Sequence, residues 1–270
     1  MGFDLHIHSN YSDGLYSPSV LVELGKEQGL TGLALTDHDT LNGLEEFRAA
    51  GEEAGVITIP GVEMTTQYQG EELHILGYRV DYYHDGLRCR LEKVIDTRIE
   101  RAKEILKKLQ RAGVDLCWDD LEKVCQDTRG RYIGRPHIYL ALKKKEIIGE
   151  DPERAGFQYY LGPEGVAYVP HQELQTLEAL DLISKAGGLP VLAHPGRLEN
   201  LRMLKTLKGN GLAGIEVFHP THSPEVRVEL LRIADQLELF PTGGSDFHGT
   251  AGAAQMGAAT VERRFIEVLL

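Results

Sequence analysis

Short apolar runs that end on a histidine or an acid recur along this 270-residue chain. The first is "FDLHIHS", residues 3–9. Alternate residues of a strand face the same side, so His6 and His8 point one way. Two imidazoles side by side in an apolar core each need a hydrogen-bond partner, whereas one metal ion can take a nitrogen lone pair from both. The pattern then repeats. "LALTDH" closes on His38 and "IPGVEM" carries Glu63 near its end. "ELHILGY" holds His74 inside an apolar run, and "PVLAHPGR" ends on His194. "TGGSDFHG" ends on Asp246 and His248, while Asp13 follows the opening pair.

The runs alternate with helical patches. "SPSVLVELGKEQ" predicts a helix with Ser17 as cap and Pro18 in its first turn, stopping at Gly29. "TGLALTD", "VITIPGVEM" and "ELHILGYRV" predict strands, with "NGLEEFRAAGEEAG" as the helix between the first two. Strand and helix at this spacing predict a parallel α/β body. The ends of its strands open onto one face, where distant residues converge. That many histidines and acids exceed one zinc and suit two or three ions bridged by a carboxylate.

The middle of the chain has a different texture. From about residue 85 to 150 it is charge-rich, with apolar residues at helical spacing in "LRCRLEKVIDTRIERAKEILKKLQRAG", "WDDLEKVCQ" and "RPHIYLALKKK". The expected division is an α/β body over residues 1–84 and 166–270, with 85–165 as a helical insertion packed beside it. The α/β rhythm then returns through "LEALDLISKAGG", "LPVLAHPG", a helix near 199–209, "GIEVFHP", "PEVRVELLRIADQLE" and "LFPTGGSDFHG". The closing "MGAATVERRFIEVLL" predicts a short strand and tail.

A net charge of −12 argues against binding long nucleic acid, though not against a small anion held by ions and a few arginines. No apolar run is long enough to span a membrane, and Asp4, His6 and His8 interrupt the place of a signal-peptide core. Three cysteines without ligand spacing fit a reducing, cytoplasmic compartment. Neither a P-loop nor a Ser-His-Asp pattern is present. Some residues read as bystanders: Asp39 as a helix cap, His84 as a surface turn residue, His171 as a loop residue.

The segments "DLHIHSNYSDG", "LALTDHDT", "PGVEMTT", "HILGY", "VLAHPGR", "GIEV" and "GSDFHG" resemble the motifs of the polymerase-and-histidinol-phosphatase (PHP) family of metal-dependent phosphoesterases. Among its members the chain is most similar to those that dephosphorylate nucleoside 3′,5′-bisphosphates or trim short oligonucleotides. The resemblance implies an α/β fold, a distorted (β/α)7 TIM-like barrel, with a trinuclear site. His6, His8, Glu63 and Asp246 would hold one ion. Glu63 would bridge to a second, held with His74 and His194. Asp13, His38 and His248 would hold the third. Manganese is the expected metal, with zinc or iron as alternatives and magnesium least suited to so many imidazoles. The expected reaction is hydrolysis of a phosphate monoester by a metal-bound hydroxide.

The resemblance also implies substrate contacts from Arg135 and His137 in "GRPH", from Arg197, and from His222, with His137 or His222 protonating the leaving oxygen. His219 stands open between a structural and a functional role. Relatives often place a lysine or glycine before a proline where this chain has Gly165-Val166, which leaves the phosphate contact of that loop in question. The expected substrate is a small nucleotide. The alternatives are a histidinol-phosphate-type metabolite, 5′–3′ trimming of a short oligonucleotide, and an inactive metal- or nucleotide-binding module.

Overall fold

The apolar runs become strands: β1 (Phe3–Ile7), β2 (Gly32–Leu35), β5 (Leu189–Leu192) and β6 (Gly214–Phe218) are almost wholly buried, and β7 (Phe240–Gly243) is half-buried at Phe240 and Pro241. A computed structural model describes residues 2–125, 128–148, 156–170, 174–198, 201–250 and 254–270. With β3 (Ile57–Tyr68) and β4 (Glu71–Tyr78) the strands form a seven-stranded sheet in chain order. The sheet curls: Ile7 bridges in parallel to Phe247 just beyond β7, and the His8 N–H donates to the Phe247 carbonyl at 2.9 Å. This is the distorted (β/α)7 barrel expected.

The sheet is not parallel throughout. β4 runs antiparallel to both β3 and β5. The cause is local: Gln69 and Gly70 both take positive φ, 51° and 91°. That two-residue reversal joins strands as a hairpin and cannot carry a parallel crossover. It also lengthens β3 four residues beyond the Met64 end expected, to Tyr68.

Helices cover the sheet. In α1 (Pro18–Glu27) the Ser17 hydroxyl accepts from the Val20 N–H at 3.4 Å, and Gly29 stops the chain at φ 70°. Around β2 and β3 lies α2 (Leu44–Ala54). The 27-residue α3 (Asp85–Arg111) starts on His84, whose Nδ1 accepts the Leu87 N–H at 3.1 Å. His84 is therefore a helix cap rather than an idle surface residue. The first half of α3 places Leu87, Leu91 and Val94 in the barrel core. Its second half enters a separate cluster with α4 (Trp118–Val124), α5 (Arg135–Lys144) and α6 (Phe157–Leu161), through Ile105, Leu109, Leu121, Ile138 and Leu161. One long helix thus ties a second small core to the barrel. Then α7 (Thr176–Lys185), α8 (Leu204–Gly209) and α9 (Pro224–Leu237) complete the coat. Near the end, Val261 makes only an isolated antiparallel bridge to Phe3, followed by short 3-10 turns. No described helix is long and apolar enough to cross a membrane. His171 lies outside the described residues.

Candidate metal centre

The barrel geometry gathers the strand ends. His6 and His8 flank the end of β1, and His38 follows β2 and bridges to Glu63 of β3. His74 on β4 sits opposite Thr65, so it is the diagonal same-face neighbour of Glu63. His194 follows β5, while Asp246 and His248 follow β7.

Glu63 is the hub, 1% exposed. Its Oε2 lies 3.1 Å from His6 Nε2, 3.2 Å from His8 Nε2 and 3.3 Å from His38 Nδ1. Its Oε1 lies 2.8 Å from His74 Nδ1 and 3.2 Å from His194 Nε2. Asp246 Oδ1 stands 3.4 and 3.3 Å from His6 and His8 Nε2. Asp13 lies 3.3 Å from His248 Nε2 and 3.9 Å from His38 Nε2. Among the described residues, candidate ligand atoms fall into three overlapping groups, each within 4.8 Å: His6, His8, Glu63 and Asp246; His8, Asp13, His38 and His248; His38, Glu63 and His74. The grouping differs in detail from the expected partition. His38 sits between two groups, and His8 faces Asp13 as well as Glu63.

These residues fit metal ions on two observations. Two donors each about 2.1 Å from one ion stand about 3.0 Å apart at a right angle and about 3.4 Å apart at the tetrahedral angle. The Glu63 and Asp246 separations from His6 and His8, 3.1–3.4 Å, span that interval. In addition, His8 Nδ1 and Nε2, His38 Nδ1 and Asp13 Oδ1 are buried polar atoms with no hydrogen-bond partner. Orphans of this kind are costly unless something else satisfies them.

Burial is the largest influence on His6, His8, His38, His74 and His194, and it acts against their charge. It prevails at His38 and His194, which fall to about 4. At His8 the carboxylates of Asp246 and Glu63 overcome it, and at His74 those of Glu63 and Glu72, so both rise to about 10. Burial works against the Glu63 charge too, but the ring of imidazoles holds it well below the usual carboxylate range. His194 and Asp246 take positive φ, 32° and 55°, a strained backbone found mostly where surrounding structure and function require it.

Three supports of the site lay outside the sequence expectations. Asp39 caps no helix. It accepts from the Thr65 N–H at 3.0 Å and from Arg98 Nε at 2.8 Å, under a Tyr132 ring that Arg98 also faces at 4.7 Å and that stacks on His38 at 5.7 Å. Asp37 accepts from the Ser9 N–H and from the Ser9 and Ser12 hydroxyls at 2.6–2.7 Å, which fixes the loop from His8 to Asp13. Glu216 in β6, fully buried, contacts His6. The signal in each case was an acid in or beside an apolar strand, which burial requires to be partnered.

The expected substrate residues divide. Arg135 reaches a pocket of about 130 Å³ that is also lined by Asp13, His38, His74, Arg98, Arg101 and Tyr132. There its Nη2 donates to Glu72 Oε1 at 3.3 Å. His137 is buried, and its Nδ1 accepts the Gly134 N–H at 3.2 Å, which leaves the ring proton on Nε2. Arg197, about half exposed, reaches Asp246 Oδ2 at 3.5 Å. His222 has both ring nitrogens on backbone groups. Its Nε2 accepts the Gly196 N–H at 3.1 Å, and Nδ1–H donates to the Val217 carbonyl at 2.9 Å. Both its nitrogens thus serve the backbone, as burial of a histidine demands. His219, by contrast, points Nε2 at Asp246 Oδ2, 3.6 Å away. Because its Nδ1 accepts the Thr221 N–H at 3.2 Å, Nε2 carries the proton of the neutral ring.

Comparison with known proteins agrees with this architecture. The PHP domain is matched over residues 4–146. A 5′-3′ exoribonuclease of Haemophilus influenzae is 32% identical over 94% of this chain and 93% of its own length. A 3′,5′-nucleoside bisphosphate phosphatase of Chromobacterium violaceum is 32% identical over 91% of this chain and 86% of its own. A solved Bifidobacterium adolescentis chain assigned as a metal-dependent phosphoesterase superimposes with a TM-score of 0.91 at 31% identity, covering 100% of this chain and 96% of that one. The chain therefore belongs to the PHP-domain family, as a hydrolase among its metal-dependent phosphoesterases.

Proposed function

We propose that the protein removes a phosphate monoester from a small nucleotide, a nucleoside 3′,5′-bisphosphate in first place, using two or three divalent ions. The observation that carries this reading is the Glu63 hub. One buried carboxylate joins five imidazoles and opens beside a pocket carrying Arg98, Arg101 and Arg135. Imidazole-rich groups of this kind suit manganese, zinc or iron better than magnesium. His6, His8, Glu63 and Asp246 would hold one ion; Glu63, His74 and His194 a second; Asp13, His38 and His248 a third. Bound there, such ions supply Lewis acidity to phosphoryl oxygens and make water nucleophilic near neutral pH.

The protein's own residues do the rest. Arg135 adds charge-assisted hydrogen bonds to a phosphate once it leaves Glu72. Phe157 at the pocket wall offers an aromatic face to a base or ribose. The pocket is smaller than the roughly 300–1,000 Å³ usual for whole small-molecule ligands, so it suits a phosphoryl end with the remainder lying outside. His137 and His219 each keep a ring N–H for the leaving oxygen, a role for which both His222 nitrogens are already committed to the backbone. A cytoplasmic setting is supported by three free thiols, Cys89, Cys117 and Cys125.

Trimming of short 5′-phosphorylated oligonucleotides is the second reading, favoured by likeness to the Haemophilus influenzae exoribonuclease. The test is phosphate or nucleotide release from adenosine 3′,5′-bisphosphate, histidinol phosphate and a short 5′-phosphorylated oligonucleotide, each with manganese. The bisphosphate should have the highest kcat/KM. A preference for the oligonucleotide would install the second reading. Release from none by protein with measured bound metal would leave a binding module.

A further inference from the structure

The "GIEV" motif contributes Glu216, which is neither a candidate ligand nor a pocket residue. It lies in β6, fully buried, one strand from the ligand groups. Its Oε1 stands 3.0 Å from His6 Nδ1, and its Oε2 accepts the His194 backbone N–H at 2.8 Å. The carboxylate therefore grips two candidate ligands from behind, His6 by its ring and His194 by its strained backbone.

We propose that Glu216 is a positioning residue that fixes the His6 tautomer with its proton on Nδ1, and so turns a lone pair at Nε2 toward Glu63 and Asp246. The reasoning is donor-acceptor arithmetic. A carboxylate accepts at both oxygens and a backbone N–H only donates. Oε2 takes the His194 N–H, and Oε1 meets His6 Nδ1 at 3.0 Å, where two bare acceptors would repel, so the proton belongs on Nδ1. In the neutral ring the proton is then absent from Nε2, the atom 3.1 Å from Glu63 and 3.4 Å from Asp246. His6 is 0% exposed, so water cannot substitute as the acceptor. Carboxylates behind ligating histidines set ring orientation and basicity, and their loss typically costs about 10- to 100-fold in metal affinity. The same grip ties the first candidate group to the second, because the His194 N–H shares the carboxylate.

Glu216→Gln tests this sharply because shape is kept while the pattern inverts. The amide oxygen must take the His194 N–H, so the amide NH2 faces His6 Nδ1. The ring must then move its proton to Nε2, where it blocks ligation. This inference rests on the proposed metal reading, so wild-type and variant are titrated side by side. Chelator-stripped proteins are titrated with manganese and with zinc, with bound metal counted by elemental analysis. The expected result is a roughly 10- to 100-fold weaker affinity for one ion in the variant, with the others less changed. Equal affinity in a folded variant would overturn the role of Glu216, whereas a wild-type protein that binds no metal would overturn the metal reading itself. A second measurement does not depend on the variant folding. In the diamagnetic zinc-loaded wild type, imidazole nitrogen NMR should show His6 with a protonated Nδ1 and a metal-shifted Nε2. A protonated Nε2, or His6 resonances unmoved by zinc, would refute the assignment.

Discussion

Removing the Arg135 guanidinium probes whether the pocket beside the ligand groups is where phosphate sits. In the free protein Arg135 donates to Glu72 across 3.3 Å, with the two side chains 23% and 32% exposed. A partly exposed pair of this kind contributes about 0.2–1 kcal/mol. Hydrogen bonds from a guanidinium to a charged phosphate are stronger, about 1.5–3 kcal/mol. Substrate must displace Glu72, so the net gain is the difference, about 0.5–2.8 kcal/mol. Arg135→Ala should therefore lower kcat/KM roughly 2- to 100-fold, at about 1.4 kcal/mol per tenfold. The loss should fall mainly on KM, because the contact exists with bound substrate as well as in the transition state. Arg135→Lys should recover only part of it, since an ammonium lacks the fork. Glu72→Gln should act oppositely, freeing Arg135 and lowering KM. Steady-state phosphate release with metal content measured for each variant reads all three. If Arg135→Ala leaves kcat/KM within twofold of wild type at full metal content, the pocket does not hold the phosphate.

Other consequences follow from the same geometry. His38→Ala should lose one ion by elemental analysis and lower kcat roughly 100-fold or more, while far-UV circular dichroism stays unchanged. Asp37→Ala strands three buried donors of Ser9 and Ser12; at about 1–3 kcal/mol each, partly relieved by rotation of the hydroxyls, the cost is roughly 3 kcal/mol. Differential scanning calorimetry should register this as a fall in Tm of about 6–12 °C. For metal-free protein, His38 and His194 lie at about 4, below their unfolded value of 6.5, so the unfolded chain binds more protons and stability rises with pH across that window. His8 and His74 lie at about 10, so their contribution is full below 6.5 and is lost as pH climbs toward 10. Denaturant titrations should accordingly place maximal metal-free stability near pH 6.5; a maximum near pH 9 would contradict the charge assignment.

Much of the barrel was legible because strand-ending histidines and acids interrupt apolar runs at the same structural point each time. Helix α1 was legible to its cap, since Ser17-Pro18 and Gly29 are local signals. The reversal at Gln69-Gly70 is not legible, because "ELHILGY" reads alike in parallel and antiparallel company. At the site, the histidines and acids that gather were visible in the sequence, but their division among groups was not: His38 and His8 each belong to two groups, a matter of ångströms that spacing does not encode. The histidines of "HPTHS" show the same limit. His219 faces Asp246 while His222, three residues on, turns both nitrogens to the backbone, and only the course of the loop decides which. The role of Glu216 is not legible in "GIEV", because its partner His6 lies 210 residues away.

The central claim is that these dispersed side chains do their chemistry through shared divalent ions. It is tested most directly by stripping the protein with a chelator and returning manganese stepwise, following bound metal per chain and phosphate release from adenosine 3′,5′-bisphosphate together. Turnover should vanish in the stripped protein and return in step with occupancy of two or three ions per chain. Undiminished turnover with no more than trace metal bound would contradict it.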